Sequence, residues 1–268
     1  MNSIYSYDDY DPPLTVFRFL GWDTMTNMTA IVAVSLPGIL VVGADGLRRE
    51  FSGDAVTQVG QNIYIHQNGR KIFSSAWCGA TVIWRQRQDT GLRHTFDFAD
   101  VSSEVLKDIS FDSNLNSFLD KFCILFRERF EKAEYFNEWC ETPWTFGQPS
   151  KSGARMLMCG FWEGESFFAE IVASHLGKNV EVQGRRLSPP QQAISAFSGA
   201  CPNAELATKR PQNVQEARNL ICEYIYCCSE NPNSKGVGKM AHTVQITPDS
   251  FEWIDPPNSP VDSSAVKS

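Results

Sequence analysis

Several common signatures are missing from this chain of 268 residues, and each absence excludes a class of protein. No apolar stretch approaches the roughly 20 residues that a membrane-spanning helix needs, so no membrane association is expected. No lysine or arginine cluster offsets the net charge of -7, which argues against nucleic acid as a partner. The first residues include Asp8, Asp9 and Asp11 and lack a basic segment with an apolar core, so no secretory signal is predicted.

The cysteines and histidines form no recognisable metal or disulfide pattern. The chain has 8 cysteines but no Cys-x-x-Cys pair, and several fall inside apolar runs, where a thiol behaves as a small buried hydrophobe. The 4 histidines stand apart from any cysteine pair: His66, His94, His175 and His242. We therefore predict reduced thiols, a cytoplasmic location, no metal and no cofactor.

The most informative segment that is present is a pair of apolar runs separated by a turn. Thr29–Leu36 and Ile39–Asp45 flank Pro37-Gly38, and both runs are apolar on both faces, which is typical of strands covered on both sides. Such a hairpin brings Asp45 beside the start of the first strand. If the chain were cut before Thr29, an α-amine, a hydroxyl and a carboxylate would lie together, and these groups make up most of a self-contained nucleophile.

Most other elements are also paired strands. The Asn-Gly sequence at 68–69 predicts a second hairpin, and two helices follow from apolar residues at helical spacing. The predicted strands are Asn62–His66, Lys71–Cys78, Met156–Phe161, Phe167–Val172, Ala193–Phe197, Ala241–Thr247 and Phe251–Ile254; the helices are 115–130 and Val214–Cys228. The segment Gly79–Asp100 stays ambiguous. Because the helices are segregated from the strand pairs, the order predicts an α+β fold of stacked antiparallel sheets with outer helices.

The domain organisation predicted from these elements is simple. Residues 1–28 are polar and irregular, and we interpret them as an N-terminal extension or a propeptide. Residues 29–255 then form a single domain, and residues 256–268 form a flexible tail.

The first hairpin, with its ending Gly43-Ala44-Asp45, resembles the start of a proteasome β-type subunit of the N-terminal-nucleophile (Ntn) hydrolase superfamily. The separation of Thr29 from Asp45 matches that family without a gap. The segment 193–200 is similar to its strand ending in a glycine- and serine-containing turn, and 214–254 is similar to its last helix, glycine-bearing loop and final hairpin. The resemblance implies a four-layer αββα sandwich over residues 29–255.

The resemblance also implies roles for individual residues. Thr29 matches the nucleophile, whose hydroxyl attacks a carbonyl carbon while its own α-amine, or a water beside it, moves the proton. Asp45 matches the acidic residue that polarises this centre, and Ser198 matches a supporting serine. The implied activity is that of a threonine-type peptidase or amidase on a peptide or small amide substrate, in a homo- or hetero-oligomer of the ring type.

The lysine that the family places beside its acidic residue has two alternative positions in this chain. Counting from Thr29 reaches Gln61, or Asn62 with a shift of one residue. Lys71 begins a better local match, Lys71-Ile72-Phe73, but it follows the Asn-Gly turn, so accepting it requires an insertion. The hairpin register favours Gln61 or Asn62, which leaves the site without a lysine, while Arg48 or Arg49 could also bring a cation nearby.

Two further departures make the activity conditional. Met28 precedes Thr29 where active members are usually cut after glycine, although removal of an initiating Met28 would expose Thr29 directly. The distal Asp-x-x-Ser element is altered, with Asn231 in place of the aspartate. The alternative function is a catalytically inactive proteasome-like subunit with a structural or assembly role.

Overall fold

The computed structural model of the chain describes residues 29–46, 48–49, 55–57, 62–79, 82–86, 93–111, 114–132, 154–176, 179–187, 195–198, 203–232 and 237–257. The strands among them are β1 (Ile31–Leu36), β2 (Ile39–Asp45), β3 (Arg48–Arg49), β4 (Ala55–Thr57), β5 (Tyr64–Asn68), β6 (Lys71–Gly79), β7 (Val82–Gln86), β8 (Arg93–Asp97), β9 (Ala154–Trp162), β10 (Glu165–Leu176), β11 (Asn179–Leu187), β12 (Ser195–Ser198), β13 (Ala241–Ile246) and β14 (Phe251–Asp255). The α-helices are α1 (Phe98–Asp108), α2 (Leu115–Glu131) and α3 (Val214–Glu230), and a short 3-10 helix spans Ala204–Thr208.

The strands build two five-stranded antiparallel sheets. Sheet 1 has the order β12-β1-β2-β13-β14, and sheet 2 has the order β11-β10-β9-β6-β5. Two small ribbons, β3 with β4 and β7 with β8, stand outside these sheets. Neighbours along the chain pair through tight turns in both sheets, as antiparallel strands can.

Three apolar cores lie between the four layers, and alternate residues of β1 belong to two of them. Ile31 and Ala33 pack between the two sheets, against residues such as Ile72 and Leu157 of sheet 2. The intervening residues of β1 pack on the other face of sheet 1 against α3, while α1 and α2 cover the far face of sheet 2. The layer order is therefore α3, sheet 1, sheet 2, then α1 with α2. This arrangement confirms the predicted α+β fold, a four-layer αββα sandwich.

The turns explain why the predicted hairpins form. Pro37 and Gly38 occupy the β1–β2 turn, and Gly38 has a φ of 68°, as the third position of a type II turn requires. Gly69 and Arg70 form the β5–β6 turn, where Gly69 has a φ of 59°. This turn is tighter than the four-residue connection that the sequence predicted, so β5 extends to Asn68 and β6 begins at Lys71.

Several parts of the fold were not predicted, among them the ribbon β3–β4 and the short 3-10 helix. The strand β11 was missed, because its apolar alternation is limited to Val180 and Val182 and most of its residues from 181 to 187 are exposed. The ambiguous segment 79–100 contains the ribbon β7–β8 and the start of α1. The helices that were predicted are confirmed: Asn114 caps α2 and Asn213 caps α3, each accepting a hydrogen bond from the main-chain N–H three residues on.

Several predictions fall on other parts of the chain. The proposed extension or propeptide, residues 1–28, lies outside the described residues, as does most of the predicted tail. Gln61 lies outside them as well.

Candidate active site

Asp45 is the centre of the candidate site and is fully buried. Its Oδ1 accepts a hydrogen bond from the main-chain N–H of Ala30 at 2.8 Å, and its Oδ2 accepts one from the N–H of Gly238 at 2.9 Å. Its own main-chain N–H donates to the carbonyl of Ala30 at 3.1 Å. The register of β1 with β2, in which Ile31 lies opposite Ala44, brings these groups together. The carboxylate therefore joins the start of β1 to the segment before β13.

Thr29 is a half-buried residue immediately before Ala30. The N–H that Asp45 binds belongs to the peptide group that links Thr29 to Ala30. A peptide group is planar, so this hydrogen bond restrains the Thr29 carbonyl and Cα along with the N–H. The structure thus brings Thr29 and Asp45 together, as the hairpin register predicted.

Asn62 lies beside Asp45, on the segment that leads into β5. Its Nδ2 donates a hydrogen bond to the main-chain carbonyl of Asp45 at 2.5 Å. The next residue, Ile63, is 1% exposed and packs in the core between the two sheets. Of the two positions that counting from Thr29 allows for the lysine, the described one is an asparagine in contact with Asp45.

Lys71, the other candidate for the lysine, lies elsewhere. It begins β6 opposite Asn68, at the tip of the β5–β6 hairpin, whereas Asn62 precedes the base of that hairpin. Its Nζ forms an ion pair with Glu163 and lies 5.5 Å from the ring centroid of Trp162. The hydrogen bond from Lys71 lowers the pKa of the Glu163 carboxyl. The two-residue turn extends the hairpin away from Asp45, so the structure does not bring Lys71 to Asp45.

Ser198 is the last residue of β12 and pairs in register with Ile31 of β1. Directly opposite residues of an antiparallel pair have Cα atoms about 4.5–5.5 Å apart. Since Ile31 is two residues from Thr29, the backbone of Ser198 lies at the same end of sheet 1 as the Thr29–Asp45 pair. The role of Ser198 stays a prediction.

Gly238 is a site residue whose role the sequence did not reveal. It appeared there only as part of a glycine-bearing loop, yet its N–H binds the Asp45 carboxylate at 2.9 Å. Val237 beside it is 6% exposed and packs in the core between sheet 1 and α3. The sequence signal available for this contact is an apolar residue between two glycines, a pattern that indicates a segment packed close to the sheet. Asn231, which the sequence resemblance matched to an aspartate, is the C-cap of α3.

Other chemistries find less support in the described residues. No group of three or more His, Cys, Asp or Glu side chains there is placed to hold a metal ion. Burial raises the pKa of the Cys159 thiol to about 12, against a smaller opposing effect of a hydrogen bond with Ser74. Burial and the charge of Asp120 likewise raise the pKa of Cys123 to about 12. A thiol is a nucleophile only as its thiolate, so neither cysteine is suited to attack a carbonyl.

The sequence predicts no helix that spans a membrane. Among the described residues, none of the helices is long and apolar enough to cross one.

Solved structures with this fold include Anbu proteins. Anbu (ancestral beta-subunit) from Yersinia bercovieri matches with a TM-score of 0.54 and 10% sequence identity, over 86% of this chain and 88% of that one. An Anbu (Gly-1) mutant from Hyphomicrobium sp. strain MC1 matches with a TM-score of 0.50 and 14% identity, over 85% and 87% of the two chains. Another Anbu structure from that strain matches with a TM-score of 0.51 and 13% identity, over 84% of this chain and 87% of that one.

These comparisons correct the resemblance inferred from the sequence. No protein-family model matches the chain, and no curated protein matches it significantly. The assignment to a proteasome β-type subunit is wrong, because the similar structures are Anbu proteins and nothing supports that narrower family directly. At 10–14% identity the likeness shows the fold alone, and that fold is proteasome-like and of the Ntn type.

Proposed function

We propose that this protein hydrolyses amide bonds with Thr29 as an N-terminal nucleophile, once Thr29 is the first residue of the chain. The observation that carries the proposal is the 2.8 Å hydrogen bond between the Asp45 carboxylate and the N–H of the Thr29–Ala30 peptide group. It holds a buried negative charge within one residue of the proposed nucleophile. The Anbu-like fold supports the proposal at the level of architecture.

The proposed reaction balances with the groups of one residue. The Thr29 hydroxyl gives its proton to the Thr29 α-amine as Oγ bonds to the carbonyl carbon of the substrate. The amide C–N bond then breaks, and the same proton passes to the leaving amine. A water molecule next attacks the resulting ester with the α-amine again as base, which releases the acid and restores the hydroxyl.

Asp45 would act by position and charge in this scheme. Its two carboxylate oxygens accept hydrogen bonds from two main-chain N–H groups, so the carboxylate is oriented before any substrate arrives. A fixed charge of this kind needs no reorganisation during the reaction. Its negative field also stabilises the protonated α-amine that forms during attack.

The experiment is to establish the N-terminus and then trap the nucleophile. The intact mass of the protein purified from expressing cells is expected to correspond to a chain that begins at Thr29. A β-lactone should then acylate Thr29: Oγ bonds to the lactone carbonyl, the ring C–O bond breaks, and the ring oxygen takes the proton. Peptide mapping locates the adduct.

Variants separate this chemistry from general reactivity. Thr29→Ala should lose the adduct and lower amide hydrolysis by about 10³-fold or more, as is typical when a nucleophile is removed. Thr208→Ala, which changes an exposed threonine of the 3-10 helix, should keep both. Retention of residues 1–28 in the purified protein, or an adduct that persists in Thr29→Ala, would overturn the proposal. Parallel assays on a peptide amide and a small acyl amide distinguish the two substrate classes.

A second candidate function is a non-catalytic protein that keeps this fold for assembly with other chains. The observation that favours it is Asn62, a neutral side chain at the position beside Asp45 where the resemblance implies a lysine. This candidate predicts that Thr29→Ala leaves every measurable property unchanged. Its test is the oligomeric state by light scattering, together with the trapping experiment.

A further inference from the structure

Asn62 connects the two sheets of the sandwich at the candidate site. Asp45 ends β2 in sheet 1, and Asn62 lies two residues before β5 in sheet 2. The side-chain amide of Asn62 donates to the main-chain carbonyl of Asp45 at 2.5 Å. The space between the sheets is otherwise filled mainly by apolar residues in the described part of the chain, so this polar link lies at the margin of that core.

Asn62 is held in place by the residues of sheet 2 that follow it. Ile63 is 1% exposed and packs in the core between the sheets, and Tyr64 begins β5 in register with Ser75 of β6. The segment that carries Asn62 is thus anchored by a buried side chain and a strand ladder directly after it. An amide on such a segment fixes the atom to which it donates.

Asp45 is held through three of its groups by three different parts of the fold. Its N–H donates to the carbonyl of Ala30, its carboxylate accepts from the N–H groups of Ala30 and Gly238, and its carbonyl accepts from Asn62. A shift of the Asp45 main chain therefore also displaces the carboxylate that holds the Thr29–Ala30 peptide group.

We propose that Asn62 is a positioning residue for the Thr29 nucleophile and acts through Asp45. The proposal rests on the proposed function, because it concerns the same site. Asn62 contributes a hydrogen-bond donor without a charge. A charge introduced at this position should therefore change the proton affinity of the Thr29 α-amine: an anion favours the protonated amine, and a cation favours the neutral one.

The test is the rate of β-lactone trapping at Thr29 as a function of pH, in three variants and the wild type. Asn62→Asp keeps the shape but removes the donor and adds a negative charge. Asn68→Asp is the matched control, because it adds the same charge at the exposed far end of β5, opposite Lys71. Asn62→Lys keeps a donor and adds a positive charge.

The proposal predicts that kinact and its pH dependence change while KI does not. Asn62→Asp should lower kinact about tenfold or more, as expected when a reacting group is displaced, while KI stays within about twofold of the Asn68→Asp value. The rise of kinact with pH should move to higher pH in Asn62→Asp and to lower pH in Asn62→Lys. A residue with only a structural role would lower the folded fraction without moving the pH curve.

The outcomes separate the two proposals. A wild-type protein that traps at Thr29, with Asn62→Asp and Asn68→Asp equal in kinact and in pH profile, overturns the role of Asn62 alone. Absence of trapping in the wild type overturns the proposed function and this inference together. If Asn62→Asp does not fold, as judged by circular dichroism, Asn62→Lys decides: a pH curve moved downward supports the proposal, and an unmoved curve overturns it.

Discussion

The carboxylate of Asp45 binds the main-chain N–H of Ala30 at 2.8 Å, and the carbonyl of Ala30 binds the N–H of Asp45 at 3.1 Å. These reciprocal hydrogen bonds close the open end of the β1–β2 hairpin, and they act on the residue that follows Thr29. One buried carboxylate therefore serves both the stability of sheet 1 and the geometry of the candidate site. A change at Asp45 should be visible in unfolding as well as in chemistry.

Asp45→Asn should destabilise the fold although it preserves the shape of the side chain. Two main-chain N–H groups donate to the two carboxylate oxygens, so the new NH₂ group must face one of these donors. A buried donor left without an acceptor costs about 1–3 kcal/mol of unfolding free energy. Urea unfolding should show a lower midpoint at an unchanged m-value. Asp249→Asn, an exposed change in the β13–β14 connection, is the control; equal midpoints for the two variants would contradict the prediction.

Cys123 and Cys159 should resist alkylation in the folded protein. They are 7% and 0% exposed, and their thiols have pKa values of about 12, mainly because of burial. At about pH 8 only one such thiol in about 10⁴ is a thiolate. Iodoacetamide followed by peptide mapping should modify the partly exposed Cys227 before these two buried thiols, which should react only in concentrated urea. Rapid labelling of Cys159 in the native protein would show that this core opens.

The sequence predicted those features that depend on neighbouring residues. The Pro37-Gly38 turn, the apolar runs beside it and the helical spacing over Val214–Cys228 are local signals, and the structure confirms these elements. The contact of Asn62 with Asp45 joins segments of different sheets, and its geometry depends on how the sheets stack. Lys71 illustrates the limit of such local signals. Its local sequence matches the family's lysine motif, but the two-residue turn before it places Lys71 at the tip of the β5–β6 hairpin.

Gly43→Ala should destabilise the protein mainly through one clash, with weaker close approaches to Thr243 Cγ2 at 3.1 Å and to the His242 carbonyl at 3.3 Å. A Cβ at position 43 would overlap the Cγ2 of Ile221, at the contact of β2 with α3. Overpacking of this kind costs about 1–3 kcal/mol, and Ile221→Ala alone should cost about 2–5 kcal/mol through its cavity. The double variant should be more stable than the sum of the two changes predicts, by about 1 kcal/mol or more.

The matched control for this cycle is Ile225→Ala, which empties another fully buried site on α3. The three atoms nearest to a Cβ at position 43 belong to Ile221, Thr243 and His242 and not to Ile225, so the two changes should be nearly additive in urea unfolding. Additivity of Gly43→Ala with Ile221→Ala as well would contradict the assigned clash.

His66 should make the folded protein sensitive to acid. Burial lowers the pKa of His66 from 6.5 to about 4, and its ring lies against Phe73, with centroids 5.1 Å apart, while Nε2 is 2.8 Å from Ser75 Oγ. Between these two pKa values the unfolded chain binds a proton that the folded protein does not. The contribution of His66 is therefore complete above about pH 6.5 and is lost as the pH falls toward 4, by up to about 3 kcal/mol. The measurement is urea unfolding across this range in the wild type and in His66→Gln, which cannot titrate but can still hydrogen-bond Ser75. The wild type should lose stability more steeply than the variant as the pH falls; parallel curves would show that His66 does not carry this dependence.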